Sequence, residues 1–338
     1  MAPGTKGKGV TRLIYENISG LDNCIANNSK LEDAKELIDE LEADIVAYNE
    51  HRQNMAHKLN VNGFNQLFKG GEAEVKSVVC HNVHKNIGQI QEGGKSLLML
   101  GTITDHICRH ETTKDKSGLG WWSVMTIVGG GIKTRIVCGY NPCYSKNPDS
   151  GTTYQQHRQY FRTRNEHRCP QTLFKMHPME QLKAWREAGD CLMVCMDVNR
   201  HIYKISIGKG LTNPEGLAMK EMVGEFTQWQ IGSTHFHGSK PINGVLATSD
   251  NSICNAVVML FNYGVGDHRL FVIDMAIKDL VGEAPPKVIW LASRRLNTKL
   301  PGVANAYADT LKEQIIRHKL IKLTGEAYKK SKSKRSLQ

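Results

Sequence analysis

The residues best suited to chemistry in this sequence stand where apolar runs stop. Cys191-Leu192-Met193-Val194-Cys195 is a run long enough for a strand buried on both faces. It ends at Asp197 and Asn199, a carboxylate and an amide that share a face if strand alternation continues. Other polar residues fall at comparable places: Asn17, Glu50, Tyr140, Asn243, and Asp267 with His268 in a glycine turn. Carboxylates, a histidine, a phenol and amides can together hold a divalent cation and move a proton. One at a time they have plainer readings, as an Asx turn, a solvated charge or a packed tyrosine. They form one site only if these strand ends converge on one rim.

The elements that must place them follow from periodicity. Val10–Tyr15 reads as a strand, and Ser29–Leu41 as a helix with one apolar face (Leu31, Ala34, Leu37, Ile38, Leu41). A buried strand over 44–48 ends at Asn49-Glu50. Strand candidates follow at 63–68, 75–80, 96–100, 121–128 and 134–139, several of them separated by glycine turns. Residues 152–188 are helical and charged, with breaks expected near Pro170 and Pro178. A helix is expected near 215–226, then strands around 234–237, 244–248, 253–260 and 270–277. No internal repeat is visible. Many short strands with few helices predict an α/β (α+β) fold: two packed, mainly antiparallel β-sheets flanked by helices, a four-layer α/β/β/α sandwich.

At 338 residues the chain can bury a full core. No apolar run approaches the roughly 20 residues of a membrane span, and the start lacks the apolar core of a signal peptide, so an intracellular protein is expected. Nine cysteines, an odd number, argue against a secreted disulfide framework. Cys138 with Cys143 and Cys191 with Cys195 lack zinc-site spacing and read as buried thiols. His235 and His237 alternate on an expected strand, but no carboxylate stands at a fixed spacing to complete a zinc site. The net charge of +11 is uneven: from residue 286 onward thirteen Lys and Arg oppose three acids, leaving the rest nearly neutral. This basic end, closing on Lys329-Lys330-Ser331-Lys332-Ser333-Lys334-Arg335, suits a polyanion and a nuclear location.

In order along the chain, Asn17-Ile-Ser-Gly-Leu, Asp44-Ile-Val-Ala-Tyr-Asn-Glu50, Tyr140-Asn-Pro142, Asp197-Val-Asn199 and Gly266-Asp267-His268 resemble the motifs of the endonuclease/exonuclease/phosphatase superfamily. The phrases Asn49-Glu-His-Arg-Gln-Asn54 and Cys138-Gly-Tyr-Asn-Pro-Cys143 look most like the nuclease domains of non-LTR retroelements. The resemblance spans about residues 10–280 as one domain, after a disordered 1–9 and before a basic helical tail or linker, 281–338. It implies a metal-dependent phosphodiesterase that nicks DNA, with Mg²⁺ (or Mn²⁺) held by Glu50, Asn17 and Asp267. Asp197 would position or deprotonate the attacking water, and Asn199 and Tyr140 would donate to phosphoryl oxygens. His268 would sit against the same phosphate. The expected partners are DNA and a reverse transcriptase domain encoded elsewhere or lost.

Three residues depart from the pattern: Glu16 where a Trp is common, Met196 in place of a Gly, and Asn243 in place of the Asp that orients the histidine. Asn243 opens an alternative, a weakened or inactive nucleic-acid-binding remnant, since an amide can favour the wrong imidazole tautomer. A small-molecule phosphatase of the same superfamily is a further alternative.

Overall fold

The computed structural model describes residues 4–20, 29–51, 76–80, 95–99, 109–148, 150–200, 219–221, 232–248, 253–283, 301–319, 321–322 and 324–326. The chain divides into two compact units, Met1–Pro286 and Lys287–Gln338.

Two six-stranded sheets build the first unit. One contains β1 (Val10–Asn17), β2 (Ile45–Asn49), β3 (Lys76–Cys80), β4 (Lys95–Met99), β11 (Ile253–Val258) and β12 (Phe271–Ala276), in the order β11-β12-β1-β2-β4-β3. The other contains β5 (Arg109–Lys114), β6 (Trp122–Gly129), β7 (Ile132–Tyr140), β8 (Cys191–Asp197), β9 (Met219–Glu221) and β10 (Asn243–Thr248), in the order β5-β6-β7-β8-β10-β9. Each has a single parallel pair at its centre, β1 with β2 and β7 with β8, and antiparallel pairs on both sides. The sheets therefore share a plan although the sequence shows no repeat. Parallel neighbours need a crossover, supplied by α1 (Ser29–Glu40) in the first sheet. In the second, α2 (Thr153–Arg162) and α3 (Pro170–Glu187) serve.

Strand alternation sorts the core into three layers. Leu13, Tyr15, Ile45 and Ala47 of one sheet face Ile136, Cys138, Met193, Cys195, Val245 and Ala247 of the other. Ile14, Val46 and Tyr48 point outward onto Leu31, Ala34, Leu37 and Ile38 of α1. Leu192, Val194 and Leu246 point outward onto Phe161, Leu173, Phe174 and Leu182 of α2 and α3. The expected four-layer sandwich is the observed fold.

Several local expectations change. β5 was not foreseen; Arg-His-Glu-Thr-Thr-Lys is polar because the strand forms a sheet edge. Pro178 lies inside α3 without ending it, and the break falls at 163–169, with Pro170 in the first turn, where no amide bond is lost. Residues 234–237 form no strand but a turn with one bridge, His235 to His268. The expected strand 63–68 lies outside the described residues, as does most of the helix expected at 215–226, of which residues 219–221 are β9. Residues 4–9, expected to be disordered, make contacts: Lys6 pairs with Asp44 at 3.1 Å, and the Gly9 carbonyl accepts from the Ile277 amide. Cys138, Cys191 and Cys195 are buried free thiols as expected, whereas Cys143 is exposed. A short helix α4 (Ile277–Val281) follows β12. The second unit contains α5 (Pro301–Arg317), largely exposed. Among the described residues no helix is long and apolar enough to cross a membrane.

Candidate active site

The site lies where the apolar face between the sheets turns polar. Alternation that points Leu13 and Tyr15 inward also points Asn17 inward, and Ile45 and Ala47 lead in the same way to Asn49. Ile136 and Cys138 lead to Tyr140, Met193 and Cys195 to Asp197, and Ala247 and Val245 back to Asn243. Pairing registers bring these ends together: Asn17 is opposite Asn49, and Asp197 is opposite both Tyr140 and Asn243. Open α/β sheets bind ligands at the carboxyl ends of their parallel strands, and here two parallel pairs deliver those ends to one place.

Asn17 joins the sheets. Its Nδ2 donates to Glu50 Oε2 at 2.6 Å and to Asp197 Oδ2 at 2.7 Å. Its Oδ1 is turned away and accepts the Ser19 amide at 3.0 Å. Asn17 thus meets both carboxylates as a donor, at the place where the resemblance sets the metal. Asp197 is fully buried, and its other oxygen accepts the Asn199 amide at 2.8 Å. Burial first, then the neighbouring Glu50, pushes the Asp197 carboxyl up to about 7. The Tyr140 hydroxyl hydrogen-bonds Glu50, and burial pushes this phenol well above its ordinary range. Glu50 has φ +54°, a left-handed conformation that costs a side-chain-bearing residue roughly 1–2 kcal/mol. The Gly20 amide donating to the Glu50 carbonyl at 2.6 Å helps hold it there.

Asn199 does not share a strand face with Asp197, because β8 ends first and Asn199 has φ +49°. The pair forms an Asx turn and remains in the site. One N–H of the Asn199 amide goes to the Asn141 carbonyl at 2.7 Å, while Asn141 Nδ2 donates to Val198 at 2.9 Å. The two asparagines clamp β7 to β8.

The histidine side is built differently. His268 Nδ1 lies 2.7 Å from Asn243 Oδ1, which also accepts from Thr234 Oγ1 at 3.2 Å. The Thr234 hydroxyl oxygen accepts the Ile242 and Asn243 amides, so its hydrogen is turned to Asn243. With its oxygen presented, Asn243 suits the Nδ1–H tautomer that a carboxylate would select. What the amide omits is charge: burial lowers the His268 pKa to about 4, against the raising influence of Asp267. Asp267 lies against two histidines, with Oδ2 3.3 Å from His235 Nε2 and Oδ1 3.7 Å from His268 Nε2. Among the described residues two trios offer ligand atoms within 4.8 Å of one another: Glu50, Asp197 and His268, and His235, Asp267 and His268.

The other departures have structural partners. Glu16 points to the opposite face of β1 from Asn17, is fully buried, and accepts the Gly266 amide at 2.6 Å and the Val265 amide at 3.2 Å. It anchors the loop that carries Asp267 and His268. A Cβ on Gly264 or Gly266 would collide with that carboxylate or with the backbone of β1, so the loop needs both glycines. Burial pushes Glu16 up to about 7. Met196 fits because its register neighbours are Gly139 and Gly244, and its Cε would lie 2.8 Å from a Cβ at Gly139. Asn49 was also missed as a link: its Nδ2 donates to Tyr15 at 2.9 Å and across the sheets to the Gly139 carbonyl at 3.0 Å.

Solved structures share this architecture over most of the chain. The AP endonuclease LMAP of Leishmania major is 10% identical, with 79% of this chain and 88% of that one covered and a TM-score of 0.54. The Xenopus laevis APE2 catalytic domain is 14% identical, with coverages of 79% and 92% and a TM-score of 0.52. An endonuclease/exonuclease/phosphatase protein of Bacteroides vulgatus is 14% identical, with coverages of 79% and 98% and a TM-score of 0.50. At these identities the likeness is one of fold, and the fold is the endonuclease/exonuclease/phosphatase sandwich. No protein-family model and no curated protein matches the sequence.

Proposed function

We propose that the chain is a divalent-metal-dependent phosphodiesterase that nicks DNA, of the kind found in non-LTR retroelements. The observation that carries this reading is the Asn17 amide donating to Glu50 and Asp197, brought together from different sheets, with His268 within 4.8 Å of both carboxylates. The donor set suits Mg²⁺: the carboxylates are crowded and oxygen-rich, and no Lys or Arg hydrogen-bonds either of them among the described residues. Glu50 is the ligand this arrangement favours, and Asp267 contributes from the histidine side. When bound, the ion neutralises charge on the phosphoryl oxygens.

The chain's own groups supply the rest. Asn17 and Tyr140 hold Glu50 in place. Asp197, titrating near neutrality, takes the proton of the attacking water. The second N–H of the Asn199 amide donates to a phosphoryl oxygen. His268 presents Nε2 to the phosphate, with Nδ1–H fixed by Asn243. The basic C-terminal end attracts the polyanion and fits a nuclear location. The test is nicking of supercoiled plasmid with Mg²⁺ against the same protein in EDTA. Metal-dependent nicking is expected, and its complete absence, with the protein folded, overturns the reading.

One observation favours a weaker enzyme or a binding remnant. His268 lacks a carboxylate at Nδ1 and is held neutral by burial, so the imidazolium that would stabilise the phosphate's charge is disfavoured.

A further inference from the structure

We infer that His235, Asp267 and His268 form a three-ligand site for Zn²⁺ or a similar late first-row cation, and that its occupation blocks hydrolysis. The site itself stands without the proposed nuclease activity; only the block rests on that reading.

Two imidazoles and one carboxylate are a donor set suited to zinc rather than magnesium. Zinc bonds of 2.0–2.2 Å at tetrahedral angles place ligand atoms about 3.3–3.6 Å apart. The His235–Asp267 separation is 3.3 Å and the Asp267–His268 separation 3.7 Å, and all three ligand atoms lie within 4.8 Å of one another. The two imidazole rings are 4.8 Å apart and tilted by 62°, so the histidines already face one another across the cluster.

The backbone already holds the ligands in place. His235 and His268 form an antiparallel bridge, flanked by the Phe236 amide donating to Asp267 at 2.9 Å and the Arg269 amide donating to Thr234 at 2.8 Å. His268 also has the outer partner of a metal-bound histidine: its Nδ1–H is held by the Asn243 oxygen, which leaves Nε2 as the ligand atom. Asp267 Oδ1 is buried with no hydrogen-bond partner among the described residues, an acceptor directed into the cluster. Three protein ligands leave a zinc ion an open fourth position for water. An ion there removes His268 and Asp267 from the phosphate, while Glu50 and Asp197 keep their preference for a harder cation.

The experiment uses the full chain stripped with EDTA. Zn²⁺ is titrated by calorimetry, Co²⁺ by its visible spectrum, and plasmid nicking in Mg²⁺ is measured with and without Zn²⁺. His235→Gln, which keeps size and polarity, is compared with His237→Ala, and a thermal melt of each checks the fold. One equivalent of Zn²⁺ is expected in the parent and in His237→Ala, with at least about 100-fold weaker binding in His235→Gln, since loss of a ligand exceeds the 10–100-fold cost of losing an outer partner. The Co²⁺ spectrum should lack a thiolate charge-transfer band. Zn²⁺ should stop nicking by the parent and spare His235→Gln, which nicks normally without zinc. Unchanged Zn²⁺ binding in His235→Gln, or a thiolate band, overturns the site. Normal nicking by the Zn²⁺-loaded parent overturns the block. If no sample nicks but metal binding still depends on His235, the zinc site stands and the nuclease reading falls.

Discussion

The two halves of the rim are made of different materials. The carboxylate half comes from the ends of central strands in both sheets, where register fixes Asn17, Tyr140 and Asp197 to within a residue. The histidine half comes from a glycine loop and a short turn, and buried polar side chains hold it: Glu16 on the loop backbone, and Thr234 and Asn243 behind His268. The first half gathers negative charge around one amide. The second is tuned to be neutral, with an amide where a carboxylate would serve. Sheet register therefore places most of the first half, whereas a loop relies on buried polar anchors, because it has no ladder of backbone bonds.

The largest effect should come from the carboxylate half. Glu50→Gln removes a charge while keeping the Asn17 and Tyr140 contacts, and Mg²⁺-dependent nicking should fall by about 10³-fold or to background, since metal charge stabilisation is worth several kcal/mol. Parent-like nicking by a folded Glu50→Gln protein would show that the charge gathers there for another reason.

The next test moves charge into the neutral half. Asn243→Asp places a carboxylate 2.7 Å from Nδ1 with almost no change in shape. Nicking should rise by about 10²–10⁴, by analogy with the serine-protease triad, where the reverse change costs about 10⁴. The gain should vanish when His268→Ala is added, because the new charge acts through that imidazole. A gain that survives the double change would mean that the carboxylate works directly on metal or substrate.

Glu16→Ala should separate the halves. It orphans the Gly266 and Val265 amides, at about 1–3 kcal/mol each, so urea unfolding should report a loss of roughly 2–6 kcal/mol. It should also weaken Co²⁺ binding through Asp267 and His268, while Mg²⁺ binding at Glu50 changes little. Equal weakening of both metals would make the rim a single cooperative unit.

A smaller effect is expected from pH. Folding raises the carboxyls of Glu16 and Asp197 to about 7 from 4.5 and 3.8. Between those limits the folded state binds more protons than the unfolded state. Their contribution to stability is therefore greatest below pH about 4, declines as pH rises and levels off above about 7. In EDTA the melting temperature should fall between pH 5 and 8, and Mg²⁺ should restore part of it at pH 8 by binding the folded state. A melting temperature that rises over that range in EDTA would mean that folding does not confine these charges.

The sequence by itself determined the layers and the strand ends. Strand side chains alternate with a period of two, so the parity that turns Met193 and Cys195 to one face also commits Asp197 to that face. A polar residue at the end of such a run is visible without any partner. A polar edge such as β5 is not, because it has no buried face to announce it. Tertiary structure alone decided which polar atoms meet. Glu16 stood out in the sequence only as a misplaced charge, and its role depends on a loop 250 positions along the chain. His235 lacked a carboxylate until the fold brought Asp267 to it, and the direction of the Asn17 amide was set by two acids on different sheets. Periodicity is a local property of the chain, whereas hydrogen bonds and ligand clusters join residues far apart in sequence, so only the packed sheets could specify them.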